Sequence, residues 1–360
     1  MSIAERPLAL PARHIRRIVV IGDTGCRLKA SEKAYQACND PARYPFARIA
    51  ALAASWRPQL VVHVGDYLYR ENPCADGNDA CAGSPWGYGW DAWNADLFAP
   101  GAPLFAAAPW VVVRGNHENC ARAGQGWWRL LDPRPLEPRR DCNDADDDGV
   151  GDASRPYAVP LGDGAQIIVA DLANAGDKPT PASDPRFGPF EASYLEIRRL
   201  AQTGAYTFIA THKPIFGLAA TETDGDVTLH PATAGITSVF ETLDPDILPK
   251  TIDVVLSGHV HLWEQVSFPA RYPTQFITGF SGTEEDVVSL PAELPPGLSL
   301  APGESPDGFS SWVGGFGYMT LERRGQKSWS AKVWNISGRV VDRCFIHQRR
   351  SRCHQRRVGR

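Results

Sequence analysis

No stretch of the 360-residue sequence approaches the roughly 18 consecutive apolar residues that a membrane-spanning helix needs. Excess charge is lacking too. A formal net charge of −4 gives no hint of a nucleic-acid partner. None of the eight cysteines forms a C-x-x-C pair, which argues against a zinc ribbon. The opening "MSIAERPLALPARHIRR" has no apolar signal core. There is no internal repeat, and no linker divides the chain.

The cysteines that are present fall into near neighbours. Cys74 with Cys81 and Cys344 with Cys353 are the closest pairs, and Cys26 with Cys38 and Cys120 with Cys142 complete an even set. Such pairs suit disulfides, which persist in oxidising compartments. The reading is a periplasmic or secreted protein whose signal peptide is absent from this chain, with the cytoplasm as the alternative. Eight arginines crowd the last 22 residues and mark a basic tail.

Apolar runs bounded by turn residues recur along the chain. "IRRIVVIGD", "LVVHVGD", "PWVVVRGN", "AQIIVADLA", "YTFIATH" and "DVVLSGH" read as buried strands. "RYPFARIAALAASW" spaces its apolar residues by three and four, as an amphipathic helix does, and "GPFEASYLEIRRLAQTG" reads as a helix with a glycine cap. From Leu262 onward strands dominate. This pattern predicts an α/β fold, a two-sheet β-sandwich flanked by helices, over residues 15–346. An N-terminal extension (1–14) and the basic C-terminal tail (347–360) flank it. Residues 71–94 form an aromatic insert that reads either as a substrate-pocket wall or as a loop folded over the core.

Five of the runs end in polar residues able to bind metal. They supply Asp23 in "IGDTG", Asp66 and Tyr69 in "VGDYLY", Asn116 and His117 in "RGNHE", His212 in "ATH", and His259 and His261 in "SGHVH". Each alone reads equally well as a cap, a turn or a satisfied core residue. Together they put carboxylates, imidazoles, an amide oxygen and a phenol on one crevice rim, where open α/β sheets bind ligands. A mixed oxygen and nitrogen set suits Fe, Mn or Zn. His63, inside an apolar run, reads as a core histidine, and Glu118 as a helix cap.

The ordered set resembles the calcineurin-like metallophosphoesterases and, within them, the purple acid phosphatases. The motifs are Gly22, Asp23, Thr24 and Gly25; Gly65, Asp66 and Tyr69; Gly115, Asn116, His117 and Glu118; His212; and Gly258, His259 and His261. The resemblance covers roughly residues 16–265. Most of the superfamily carries His two positions after the first Asp. Here Gly25 stands there and Tyr69 lies three after the second Asp, which is the purple acid phosphatase variant.

The resemblance implies a binuclear hydrolase of phosphate esters that works by attack of a metal-bound hydroxide. Fe(III) would be held by Asp23, Tyr69 and His261. A divalent Fe, Zn or Mn would be held by Asn116, His212 and His259, with Asp66 bridging the two. His117 would be the general acid or substrate-orienting histidine. The family's further substrate-binding histidine corresponds to His230, eighteen residues beyond His212. The expected partner is a small phosphate ester. The alternatives are a phosphodiesterase of the same fold and a non-catalytic phospho-ligand binder. Separately, "DADDDG" begins like an EF-hand, but its twelfth position is Arg155, leaving a one-off calcium loop at Asp144, Asp146 and Asp148 or a solvated acidic loop.

Overall fold

The computed structural model describes residues 2–3, 6–7, 10–284 and 288–354. Residues 1, 4–5 and 8–9 of the N-terminal extension, and the tail from residue 355, lie outside the described residues. Two seven-stranded sheets face one another. In the first, β1 (Arg17–Ile21), β2 (Leu60–His63) and β3 (Trp110–Val112) run parallel, with Val20 beside Val62 and Val62 beside Val111. In the second, β4 (Tyr157–Gly162) edges a parallel set of β5 (Ala165–Val169), β6 (Tyr206–Ala210), β9 (Val254–Ser257) and β11 (Thr274–Thr278). An exposed ribbon of β7 (Leu218–Thr223) and β8 (Asp226–Pro231) stands apart from both sheets. Antiparallel strands complete each sheet. These are β10 (Trp263–Ser267) and β12 (Gly308–Trp312) in the second, and β13 (Gly317–Gly325), β14 (Ser328–Asn335), β15 (Val340–His347) and β16 (Arg350–Cys353) in the first.

The continuous apolar runs follow from burial on both faces. Along β1, Ile18 and Val20 enter the layer between the sheets with Val62, Phe208, Leu256 and Met319. Their neighbours Val19 and Ile21 pack outward beneath α1 (Phe46–Ser55) and α2 (Ala99–Ala107), against Phe46, Ile49 and Leu104. The second sheet repeats this pattern: Ile168 and Ile209 meet Tyr194 of α3 (Phe187–Ala201) and Phe240 of α4 (Ala234–Leu243). The result is the expected sandwich with helices outside.

Two boundaries differ from the sequence reading. The domain does not stop at residue 346, because β16 pairs with β15, bringing Cys353 opposite Cys344. Helix α3 ends at Ala201 with Gln202 as its cap, so Gly204 lies beyond it and does not cap it. All eight cysteines are bridged, as Cys26–Cys38, Cys74–Cys81, Cys120–Cys142 and Cys344–Cys353. Four disulfides suit an oxidising, secreted or periplasmic compartment. No described helix is long and apolar enough to cross a membrane.

Candidate metal centre

The parallel strands of both sheets end at one crevice. Asp23 follows β1, Asp66 and Tyr69 follow β2, and Asn116 and His117 follow β3. His212 follows β6, and His259 and His261 follow β9. The turns that deliver them are strained: Asp23 (φ 55°), Asp66 (φ 57°) and His259 (φ 72°) all sit in the left-handed region. Non-glycine residues rarely adopt it, and such strain persists only where the surroundings over-determine it. A side chain at residue 25 would also collide with this turn, since a Cβ there would lie 2.7 Å from the Tyr69 nitrogen. The segment carrying Tyr69 thus fills the space that a residue larger than Gly25 would need.

The donors form two groups that share Asp66. The Tyr69 hydroxyl lies 3.0 Å from Asp23 Oδ1, 3.1 Å from His261 Nε2 and 2.8 Å from Asp66 Oδ2. On the other side, His212 Nε2 is 3.1 Å from the same Asp66 oxygen and 3.0 Å from Asn116 Oδ1. Ligand atoms of Asp66, His212 and His259 lie within 4.8 Å of one another. His212 Nδ1 is 2.9 Å from the Val64 carbonyl, so that nitrogen donates and Nε2 is left for the cluster.

The residues fit a metal pair on the chemistry of their charges. Asp23 and Asp66 are buried carboxylates whose ion-pair partners among the described residues are imidazoles alone. Buried carboxylates need a cation or a dense hydrogen-bond shell. Burial, then the Asp23 and Asp66 charges, push the Tyr69 phenol well above the usual tyrosine range, so with protein charges alone it stays protonated. A cation among these groups inverts that field. Burial disfavours a charged His212, but Asp66 outweighs it and raises the imidazole to about 9. That proton stands where metal binding would displace it.

Around the donors is a shell in which His117 and Glu118 were legible in the sequence but Glu71, Arg122 and Asp96 were not. His117 packs on Tyr69 with ring centroids 3.8 Å apart and the planes tilted by 34°, and its Nε2 is 3.9 Å from Asp66 Oδ2. Glu71 Oε1 is 2.9 Å from His117 Nδ1, and Arg122 pairs with Glu71 while lying 2.7 Å from the same ring nitrogen. Burial lowers His117 below the ordinary imidazole value, with Asp66 and Glu71 opposing. Asp96, fully buried, accepts the Tyr69 N–H at 2.9 Å, the Cys26 N–H at 3.0 Å and Arg70 Nε at 2.5 Å. Glu118 does more than cap a turn. Its carboxylate accepts N–H groups from Gly115, Asp66 and Tyr67 at 2.8–3.1 Å, tying two ligand loops together. The crevice above the donors has a volume of about 170 Å³, and Arg27, Lys29 and Glu32 complete its rim.

A family model, calcineurin-like phosphoesterase, matches residues 16–262. The chain belongs to that family. Among solved structures, this phosphoesterase is similar to a purple acid phosphatase isolated from yellow lupin (Lupinus luteus) seeds. The TM-score is 0.55 at 14% identity, covering 98% of this chain and 55% of that one. It is similar also to PhoD, with a TM-score of 0.56 at 14% identity, covering 98% of this chain and 74% of that one. The chain therefore spans about half the length of the lupin protein. At this identity the likeness is one of fold. A search of curated proteins finds no match.

Two expected sites are not assembled in this phosphoesterase. His230 is absent from the crevice wall. Its register in the exposed β7–β8 ribbon sets it opposite Ala219, where its Nε2 lies 2.7 Å from Thr221 Oγ1. Asp144, Asp146 and Asp148 do not converge either. Asp144 instead caps a short turn by accepting the Asp146 N–H at 3.0 Å, and the following residues, Asp148–Gly151, coil into a helical turn. Among the described residues the other trio within ligand distance is Asp342, Cys344 and Cys353, whose sulfurs are joined in a disulfide. His63 is a core residue, stacked 3.9 Å from Tyr67 and 2.9 Å from Thr24 Oγ1.

Proposed function

We propose that this phosphoesterase is a binuclear metal-dependent hydrolase of phosphate esters with a purple acid phosphatase-type centre. One observation carries the reading: a single oxygen, Asp66 Oδ2, lies 2.8 Å from the Tyr69 hydroxyl and 3.1 Å from His212 Nε2. That is the position of a bridge between two donor sets. Asp23, Tyr69 and His261 would hold Fe(III), for which a phenolate is a hard anionic donor. Asn116, His212 and His259 would hold a divalent Fe, Zn or Mn. When bound, such a pair supplies Lewis acidity that activates water and offsets charge on the phosphoryl oxygens.

The chain's own groups do the rest. His117 borders the crevice without belonging to either donor set and protonates the leaving oxygen from its ring nitrogen. Glu71, 2.9 Å from Nδ1, fixes the ring plane and supports the charged imidazole. The four disulfides support a periplasmic or secreted location. Metal analysis combined with a screen of phosphate mono-, di- and triesters tests the reading. Two metals per chain with hydrolysis of at least one class support it, and the class hydrolysed separates a monoesterase from a phosphodiesterase. Two metals with no hydrolysis would favour a phospho-ligand binder.

A further inference from the structure

The donor set binds any phosphoryl group alike, so a choice among esters falls to the crevice wall. Apart from the donors and His117, the described residues that line the crevice are Arg27, Lys29 and Glu32. The crevice is small, about 170 Å³. A group attached to a phosphoryl on the donors therefore has these three side chains and His117 as its neighbours.

All three come from one loop after β1, and that loop is built to keep its shape. The Cys26–Cys38 bridge closes it, and Leu28–Lys29 pairs antiparallel with Ala34–Tyr35. Leu28 is fully buried, and its N–H donates to the Tyr69 carbonyl at 3.0 Å, while the Asn72 N–H donates to the Leu28 carbonyl at 3.1 Å. Gln36, also buried, accepts the Arg27 N–H at 2.9 Å and donates to the Gly282 carbonyl at 2.9 Å. Side chains alternate along extended backbone, so Arg27 and Lys29 share the face opposite Leu28. The bonds that fix the Tyr69 loop thus also fix two cations at the crevice.

The charges on this wall do not balance. Glu32 pairs with the Arg27 guanidinium and, at 2.6 Å, with Lys29 Nζ, so two cations face one carboxylate. Burial alone would raise the Glu32 carboxyl, but Lys29 and Arg27 outweigh it and hold it at about 2. One positive charge is left in excess. Nearby pairs are matched one to one, Arg122 with Glu71 and Arg43 with Glu284. The Arg27 side chain is only 15% exposed and that of Lys29 27%, so both are partly shielded from water, and an anion meeting them is screened less than at an open surface.

We propose that Arg27 and Lys29 form a second anion subsite, which selects phosphate esters whose alcohol portion carries a further anionic group a few bonds from the phosphoryl. The proposal rests on the phosphoesterase reading above. Its test compares 4-(phosphonooxy)butanoate with butyl phosphate, whose leaving alcohols are similarly basic, using the metal-loaded full chain. Calorimetry on the same protein compares the uncleavable 5-phosphonopentanoate with pentylphosphonate. The carboxylate should improve both kcat/KM, mainly through KM, and Kd by about 5–30-fold, the scale of one charge-assisted hydrogen bond, and less at high salt. The metal centre attracts every anion, so the variants carry the assignment. Lys29→Gln and Arg27→Gln should each bring the two ratios toward one. Glu32→Gln should raise them, because it removes the competing acid. Equal values for the charged and uncharged members, ratios kept by both cation variants, or ratios that fall in Glu32→Gln overturn the subsite alone. Hydrolysis of neither ester by protein containing two metals overturns the phosphoesterase reading, and the phosphonate Kd ratio then decides the subsite by itself.

Discussion

Asp96 holds Tyr69 by the backbone: its Oδ2 accepts the Tyr69 N–H at 2.9 Å, while its Oδ1 takes the Cys26 N–H and Arg70. One buried carboxylate thereby fixes both the loop after β1 and the loop after β2. Asp96→Asn should lower stability by about 3–5 kcal/mol, the usual cost of leaving one member of a buried pair uncompensated. It should also weaken the Tyr69 metal position before the His212 position. Denaturant unfolding and metal stoichiometry on the same preparation measure the two effects. A variant with unchanged metal content would show that Tyr69 is held without Asp96.

Colour reports the Tyr69 assignment. Iron-loaded, oxidised protein should absorb visible light through phenolate-to-iron charge transfer, and Tyr69→Phe should lose the band. Tyr67→Phe removes a hydroxyl that donates to the Val113 carbonyl at 2.9 Å, far from the donor cluster in role though near in sequence. It should cost about 1 kcal/mol of stability and keep the colour. A colourless protein holding stoichiometric iron would count against the phenolate ligand.

His117 and His259 should separate proton transfer from metal binding. His117→Ala should retain both metals and slow hydrolysis by roughly 10²–10⁴-fold. The loss should be greater for alkyl phosphates than for nitrophenyl phosphate, whose leaving group needs little protonation. His259→Ala should empty its metal position and abolish turnover of every ester alike. Loss of a metal in His117→Ala would make that residue a ligand.

The bridged cysteines make a prediction about export. Non-reduced, denatured protein from its native compartment should titrate no thiols, and the reduced protein eight. Reduction of each short-loop bridge typically removes about 2–4 kcal/mol. Cys26–Cys38 encloses the segment that brings Arg27, Lys29 and Glu32 to the crevice, so its reduction should raise KM as well as lower stability.

Stability should fall between pH 4 and 6 through Asp253. Burial pushes this carboxyl up to about 6, against the Thr207 N–H it accepts and the nearby Arg349 charge. The folded state therefore binds the proton more tightly than the unfolded chain. The contribution is fully present below the ordinary carboxyl value and is lost as pH rises through about 6. Asp253→Asn should flatten that window by up to about 2 kcal/mol while leaving metal content unchanged. Urea midpoints at pH 4 and pH 7 measure it. A pH profile identical in the variant would assign the slope elsewhere.

The two-sheet architecture, and the meeting of the candidate donors at one crevice, could be read from the sequence for a local reason. Each donor lies a few residues after a strand, and parallel strands of one sheet must end on the same side, so the run that forms the strand also delivers its ligand. Gly25 and Tyr69 were legible as a pair because the substitution at one position accompanies the residue at the other. Three members of the shell were not legible. Asp96 reads as an ordinary residue of "NADLF", and Glu71 and Arg122 as solvated charges, because their roles depend on segments 27–70 residues away in sequence.

Only chain packing could decide the remaining points. Ribbon register, a backbone pairing with no counterpart in the motif spacing, carries His230 away from the crevice. Edge-strand pairing draws Cys353 into the first sheet, although its basic surroundings resemble a solvated tail. The acidic run at 144–152 coils into local turns, which satisfies its backbone without gathering its carboxylates. Covalent adjacency to a buried strand determines which polar residues reach the crevice. Their spacing, the groups that hold them, and the wall an ester would meet come from contacts between distant segments, whose energies no local pattern encodes.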